Sequence, residues 1–145
     1  MNTDPQVMTY LNAGQPETEE NTHAAIARTA RRWAGWGYSW WALMRKDNGT
    51  MVGMACLQHL DGDSAKPHEI GWRLVRSGWG KGYASEAAAA IVRHAFDVVG
   101  APDVVAVAHP DNAASIRVMA RLDMRYVGRE QHDDLDCVVY RLACS

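Results

Sequence analysis

The stretch His68-Glu-Ile-Gly-Trp-Arg-Leu-Val-Arg-Ser-Gly-Trp-Gly-Lys-Gly-Tyr-Ala-Ser-Glu-Ala-Ala-Ala-Ala-Ile-Val-Arg-His-Ala-Phe96 decides how this chain is read. Its first half alternates, with Ile70, Trp72 and Leu74 set against Gly71, Arg73 and Val75, which is the period of a strand. Its second half is an alanine-rich helix of about four turns from Ala84. There Ala84, Ala87, Ala88, Ile91, Ala95 and Val98 make one apolar stripe that Gly100 ends. Small residues on that stripe predict a helix lying close against a sheet. Between the halves Gly78, Gly80 and Gly82 leave the backbone bare at a helix start, where unpaired N–H groups and the helix dipole favour an anion. The run is not a P-loop, since G-x-x-x-x-G-K-[ST] is absent, and Tyr83 stands where a dinucleotide fingerprint needs its third glycine. A plain structural turn stays open as the other reading.

Working outward, Asp103-Val-Val-Ala-Val-Ala-His109 is a continuous apolar run suited to a strand buried on both faces. Strand, helix and buried strand make a parallel crossover. Upstream, Ser39 to Arg45 and Met51 to Leu60 flank Asn48-Gly49, a hairpin signal, so the middle of the chain reads as an antiparallel meander. Thr18 caps a helix that opens with Glu19 and Glu20, carries Ile26, Ala30 and Trp33 on one stripe, and closes at Gly35 and Gly37. Downstream, Pro110 to Leu122 is a helix with Asp111 or Asn112 at its cap. Two final strands, Met124 to Glu130 and Leu135 to Leu142, follow. The expected fold is α/β, a mixed and mainly antiparallel sheet with helices on both faces. Four of the six tryptophans fall between Trp33 and Trp41, as a core seam or as the aromatic wall of a substrate site.

Bulk properties narrow the function classes. At 145 residues, 48% hydrophobic and 22% charged, residues 1–145 suit one globular domain. A net charge of −2 with interspersed signs offers no footprint for nucleic acid or an anionic membrane. Cys56, Cys137 and Cys144 lack a C-x-x-C pair, and the six histidines lack metal-ligand spacing, so no metal is expected. No signal peptide or membrane-length apolar run is visible, which leads us to expect a cytoplasmic protein.

Two stretches in order, the quoted one and His109-Pro-Asp-Asn-Ala-Ala-Ser-Ile-Arg-Val-Met-Ala-Arg-Leu-Asp-Met124, resemble the GCN5-related N-acetyltransferases. Within them the chain is most similar to the branch that contains the ribosomal-protein N-terminal acetyltransferases. The resemblance runs from about Asp4 to Leu142 and implies acetyl-CoA as co-substrate and an amine as acceptor: a protein N-terminus, a polyamine-like metabolite or an antibiotic amine. It implies a pyrophosphate cradle at Trp79, Gly80, Lys81, Gly82, Tyr83 and Ala84, with Ser85 beside it. The pantetheine arm would lie along Leu74, Val75 and Arg76, with Arg76 and Lys81 near the phosphates, and Asn112 and Ser115 on its other side. A backbone N–H near Leu74 or Val75 would polarise the thioester, and Glu69 would take the ammonium proton. His68, next to Glu69, is a candidate helper. Met119 stands where the family usually has a tyrosine acid and Asp123 where it has a glycine, so Ser115 or water is the expected proton donor. The family's usual first strand and most of a helix have no counterpart before Asp4, and a homodimer that covers the resulting surface is the expectation. A non-catalytic acyl-CoA-binding module is the alternative.

Overall fold

The computed structural model describes residues 1–145. Six strands form one sheet in the order β1-β2-β3-β4-β6-β5: β1 Trp40–Met44, β2 Met51–His59, β3 His68–Leu74, β4 Asp103–Ala108, β5 Arg125–His132 and β6 Leu135–Ala143. Helices α1 (Glu19–Trp36), α2 (Tyr83–His94) and α3 (Ala113–Arg121) complete the layers. All neighbours pair antiparallel except β3 and β4, which α2 joins in the expected parallel crossover.

The main core lies on the face carrying Ala55, Leu57, Ile70, Val104, Ala106 and Val138, packed by Ala88, Ile91 and Ala95 of α2 and Met119 of α3. Ala88 and Ala95 are fully buried, so alanine serves here to bring α2 within close range of the sheet. Burial of side chains such as Leu57 and Ile70 stabilises by about 1.5–3 kcal/mol each. The stripe ends at Ala95, three residues before Val98, where its period predicts the last member. From Ala95 to Val99 the helix widens into a π-type turn before Gly100, and Val98 is 71% exposed. A wider turn advances each residue by a smaller angle, which rotates Val98 off the face that Ala95 shares.

On the other face the cover is thinner. Leu60, Val105 and Val139 make a small cluster, Arg32 of α1 donates to Gln58 Oε1 at 2.7 Å, and Met8 of the N-terminal segment is fully buried. Thr18 caps α1 as expected, accepting from the Asn21 N–H, and Gly37 ends it in the left-handed conformation. Gly35 lies inside the helix. The expected apolar stripe of α1 is not a buried one: no residue of the helix is buried and Ile26 is 62% exposed. Only the last turns touch the sheet, through Arg32, through Trp33 against Trp41 with ring centres 5.2 Å apart, and through Trp36 on the core.

Gly53 sets the fit of β2 on β3. Opposite Leu74 in the ladder, it leaves no room for a methyl: a Cβ there would lie 2.3 Å from the Arg73 carbonyl oxygen and 2.9 Å from the Leu74 Cα. Because the obstruction is backbone, Gly53→Ala is expected to cost about 1–3 kcal/mol. Urea denaturation followed by tryptophan fluorescence checks this, and an unchanged midpoint would contradict the close approach.

Candidate functional site

The parallel pairing of β3 and β4 is confined to His68 with Val104 and Glu69 with Val105. Beyond Glu69 the two strands part, and a cleft of about 1390 Å³ opens between them and runs to the start of α2. Ladder alternation decides which backbone groups face the gap. Val75 N–H bonds to the Val52 carbonyl at 2.9 Å. The neighbouring Leu74, opposite Gly53, is therefore at a non-bonded position of the β2–β3 ladder and turns its N–H toward the gap.

Leu74, Trp79, Gly80, Lys81, Gly82, Tyr83, Ala84, Ser85, Asn112, Ser115 and Glu69 all line this one cleft. Two of the residues singled out with them in the sequence do not. Val75 is spent on the backbone, donating to Val52 and accepting from the Gly78 N–H, so of the two candidate carbonyl-polarising groups only Leu74 is available. The Arg76 guanidinium turns away to Asp4, 2.6 Å from Nε, and to Gln6 at 3.1 Å; it ties down the N-terminal segment. That segment reaches across the cleft mouth, since the Tyr10 ring meets that of His109 beyond β4 in a tilted contact with ring centres 5.1 Å apart.

The glycine loop is built as the sequence suggests. Gly80 and Gly82 take φ of +71° and +80°, and a Cβ at either would meet open space. The freedom at these positions is conformational, and it leaves the loop's inner side clear of side chains. Gly82 is the N-cap of α2, which has no side-chain cap, so the first N–H groups of the helix keep their bonding capacity. Trp79 latches the loop to β3 through its indole N–H to the Leu74 carbonyl at 3.2 Å. Asn112 caps α3 by accepting from the Ser115 N–H at 3.2 Å and also lines the cleft. Arg117 and Arg121 of α3 join Lys81 at this end, and Arg121 donates to Ser85 Oγ at 3.2 Å. No local pattern in the sequence marks either arginine, because only the approach of α3 to α2 brings them near the loop.

At the far end, Glu69 lies deep in the floor while keeping some surface toward the cleft. Burial raises its carboxyl to about 7; a hydrogen bond from Gln58 at 3.3 Å opposes that shift, and Asp61 adds to it. His68 is no helper: it projects to the opposite face, where its Nε2 is 2.7 Å from Tyr38 Oη. Met119 is 1% exposed in the core and has no access to the cleft. The tryptophans divide, with Trp36 and Trp41 packed on the core and Trp40 walling the cleft. A shallower groove of about 490 Å³ between β1 and α2 shares only Tyr83 with this site.

This assembly has close parallels. The family model described as an acetyltransferase (GNAT) domain matches residues 1–125. An uncharacterized protein of Bacillus subtilis (strain 168), YkkB, is 32% identical over 123 residues, 85% of this chain and 70% of that one. The FsC-acetyl coenzyme A-N(2)-transacetylase of Aspergillus fumigatus is 27% identical over 140 residues, 88% of this chain and 56% of that one. Among solved structures, a GNAT-family acetyltransferase of Bacillus anthracis superposes with a TM-score of 0.80 at 26% identity, covering 98% of this chain and 84% of its own. An acetyltransferase of Agrobacterium tumefaciens str. C58 gives 0.82 at 25%, covering 98% and 80%. With its sequence matched over most of its length and its sheet parted at β3 and β4, the chain belongs to the GNAT family of acetyltransferases.

Proposed function

We propose that the protein moves the acetyl group of acetyl-CoA to a primary amine by direct attack within a ternary complex. One observation carries the reading: the parting of β3 from β4 puts the Leu74 N–H, the bare glycine loop and the Glu69 carboxyl along a single cleft. In the reaction the amine nitrogen bonds the acetyl carbon, the carbon–sulfur bond breaks and the thiol leaves. Gly80, Gly82 and the first turn of α2 hold the pyrophosphate, and Lys81, Arg117 and Arg121 neutralise phosphate charge from the rim. Leu74 N–H polarises the thioester carbonyl. Glu69, held near neutrality, removes the ammonium proton directly or through water. Ser115, whose hydroxyl makes no hydrogen bond, or solvent returns a proton to sulfur. Much of the rate comes from holding both substrates in one cleft.

The run from Trp79 to Ala84 supports a place near the branch of ribosomal-protein N-terminal acetyltransferases, and the open cleft admits a protein N-terminus or a small amine. Three free cysteines suit a reducing cytoplasm. The exposed stripe of α1, with Ile26 and Trp33, suits cover by a second protomer; a monomer by light scattering at micromolar concentration would contradict that.

Release of CoA thiol across a panel of amines and N-terminal peptides tests the activity. Saturable acetyl-CoA binding without turnover on any acceptor would assign a binding module instead, and no binding at all would end the reading. Gly82→Val puts a branched side chain at φ +80° in the cradle. It is expected to weaken acetyl-CoA binding about ten- to a hundredfold by calorimetry, with the far-UV circular dichroism kept. The log of kcat/KM is expected to rise with pH and level off near 7, and Glu69→Gln to lower kcat by about 10²–10⁴ and abolish that limb.

The same carboxyl links stability to pH. Its folded-state value is raised from 4.5 to about 7, so the stability it contributes is full below 4.5 and lost as pH rises through 7. Glu69→Gln removes that loss. Relative to wild type, the variant is expected to gain up to about 3 kcal/mol between pH 4.5 and 8 in urea denaturation. A pH-independent difference would contradict the buried carboxyl.

A further inference from the structure

The floor of the cleft holds a second charged group that acetyl transfer as described leaves unused. Glu69, Gly71 and Arg73 share one face of β3. Across the ladder Gly71 pairs with Cys56, and Cys56 with Trp40. All five side-chain positions line the cleft. Gly71 and Cys56 keep the middle of this row low, and Trp40 bounds it on the β1 side. The result is a trough with a carboxyl at one end and a guanidinium at the other. The two α-carbons lie about 13 Å apart along the strand, a span both long side chains narrow.

Arg73 is placed oddly for a structural arginine. It is largely buried, yet no acidic side chain lies within ion-pair distance of it. Its Nε is buried without a hydrogen-bond partner. The one side-chain bond it makes runs from Nη1 to Asn2 Oδ1 at 2.9 Å; Glu17, the acid whose charge it feels most, is farther off. The exposed Arg76, three residues on, is paired with Asp4. A buried cation without a counter-charge is costly, and such an orphan calls for a partner. A carboxylate matches the fork of a guanidinium. The CoA phosphates are not that partner in the reading above, because their cations, Lys81, Arg117 and Arg121, stand at the start of α2.

We propose that Arg73 binds a carboxylate of the acceptor, which makes the substrate a small molecule bearing both a primary amine and a carboxylate, its amine turned toward Glu69. This rests on the acetyl-transfer reading and adds the acceptor's chemical class. Arg73 acts as the specificity-determining residue, and an acceptor that lacks the carboxylate leaves its guanidinium unpaired in the floor, which is where discrimination arises.

The test uses the full chain, acetyl-CoA and matched acceptor sets: free L-amino acids, their C-terminal amides and the parent amines without the carboxyl group. The amides stand for the peptide bond that follows a protein N-terminus. Free acids are expected to be favoured about tenfold or more in kcat/KM. Arg73→Gln is expected to raise KM for the acids about tenfold or more with a smaller change in kcat, and to erase the preference over amides; Arg73→Lys retains part of it. Acetyl-CoA affinity by calorimetry reports that each variant is folded, and the wild-type ratio needs no variant. Equal or better use of amides overturns the proposal. So does a preference that persists in a CoA-binding Arg73→Gln, or the absence of turnover of every free acid by a chain that binds acetyl-CoA. Failure to bind acetyl-CoA would instead overturn the acetyl-transfer reading beneath it.

Discussion

The short parallel contact between β3 and β4 governs the rest of the molecule. Hydrogen-bonded strands run side by side at about 4.8 Å; here the register holds at His68–Val104 and Glu69–Val105 and then lapses. The cost of unpaired backbone is kept small because each strand satisfies its other edge, β3 on β2 and β4 on β6. What the lapse leaves is a wedge whose walls still carry N–H groups. Those N–H groups keep their bonding capacity, since no opposite strand takes them up. The glycine loop and α2 close the wide end of the wedge, Glu69 stands where it narrows, and every functional group is measured from that geometry.

Charge along the cleft is graded by how each cation is used. Arg76 is neutralised by Asp4 and spent on the N-terminal segment. Lys81, Arg117 and Arg121 are exposed at the rim, where water screens them. Arg73 and Glu69 lie in the floor, where the low dielectric magnifies interactions and drives Glu69 toward its neutral form.

Most of the fold was legible because its signals are local. Alternation in β3, the Asn48-Gly49 hairpin, the Thr18 cap and the alanine stripe of α2 each report on a few neighbouring residues. The glycine loop was legible for the same reason: Gly80 and Gly82 adopt the positive φ that only glycine takes freely. Local pattern misleads where a side chain's fate depends on a distant partner. Ile26 and Trp33 have the period of a buried face, but only Trp33 meets the sheet, at Trp41, and Ile26 stays exposed. Arg76 looks like a phosphate ligand until Asp4 and Gln6 arrive from seventy-odd residues away, and Val98 was displaced by a widened turn that the apolar pattern does not announce.

The sequence by itself determined the α/β class, the order of strands and helices, the anion-ready start of α2 and the family resemblance, since periodicity, turn chemistry and motif spacing are properties of contiguous residues. Only the tertiary structure decided which backbone N–H faces the cleft, that Val75 and Arg76 are already committed, that His68 and Glu69 part to opposite faces, and that Arg73 is buried without an acid. Those outcomes depend on ladder parity and on which segments meet across the sheet, and neither is encoded in any one stretch.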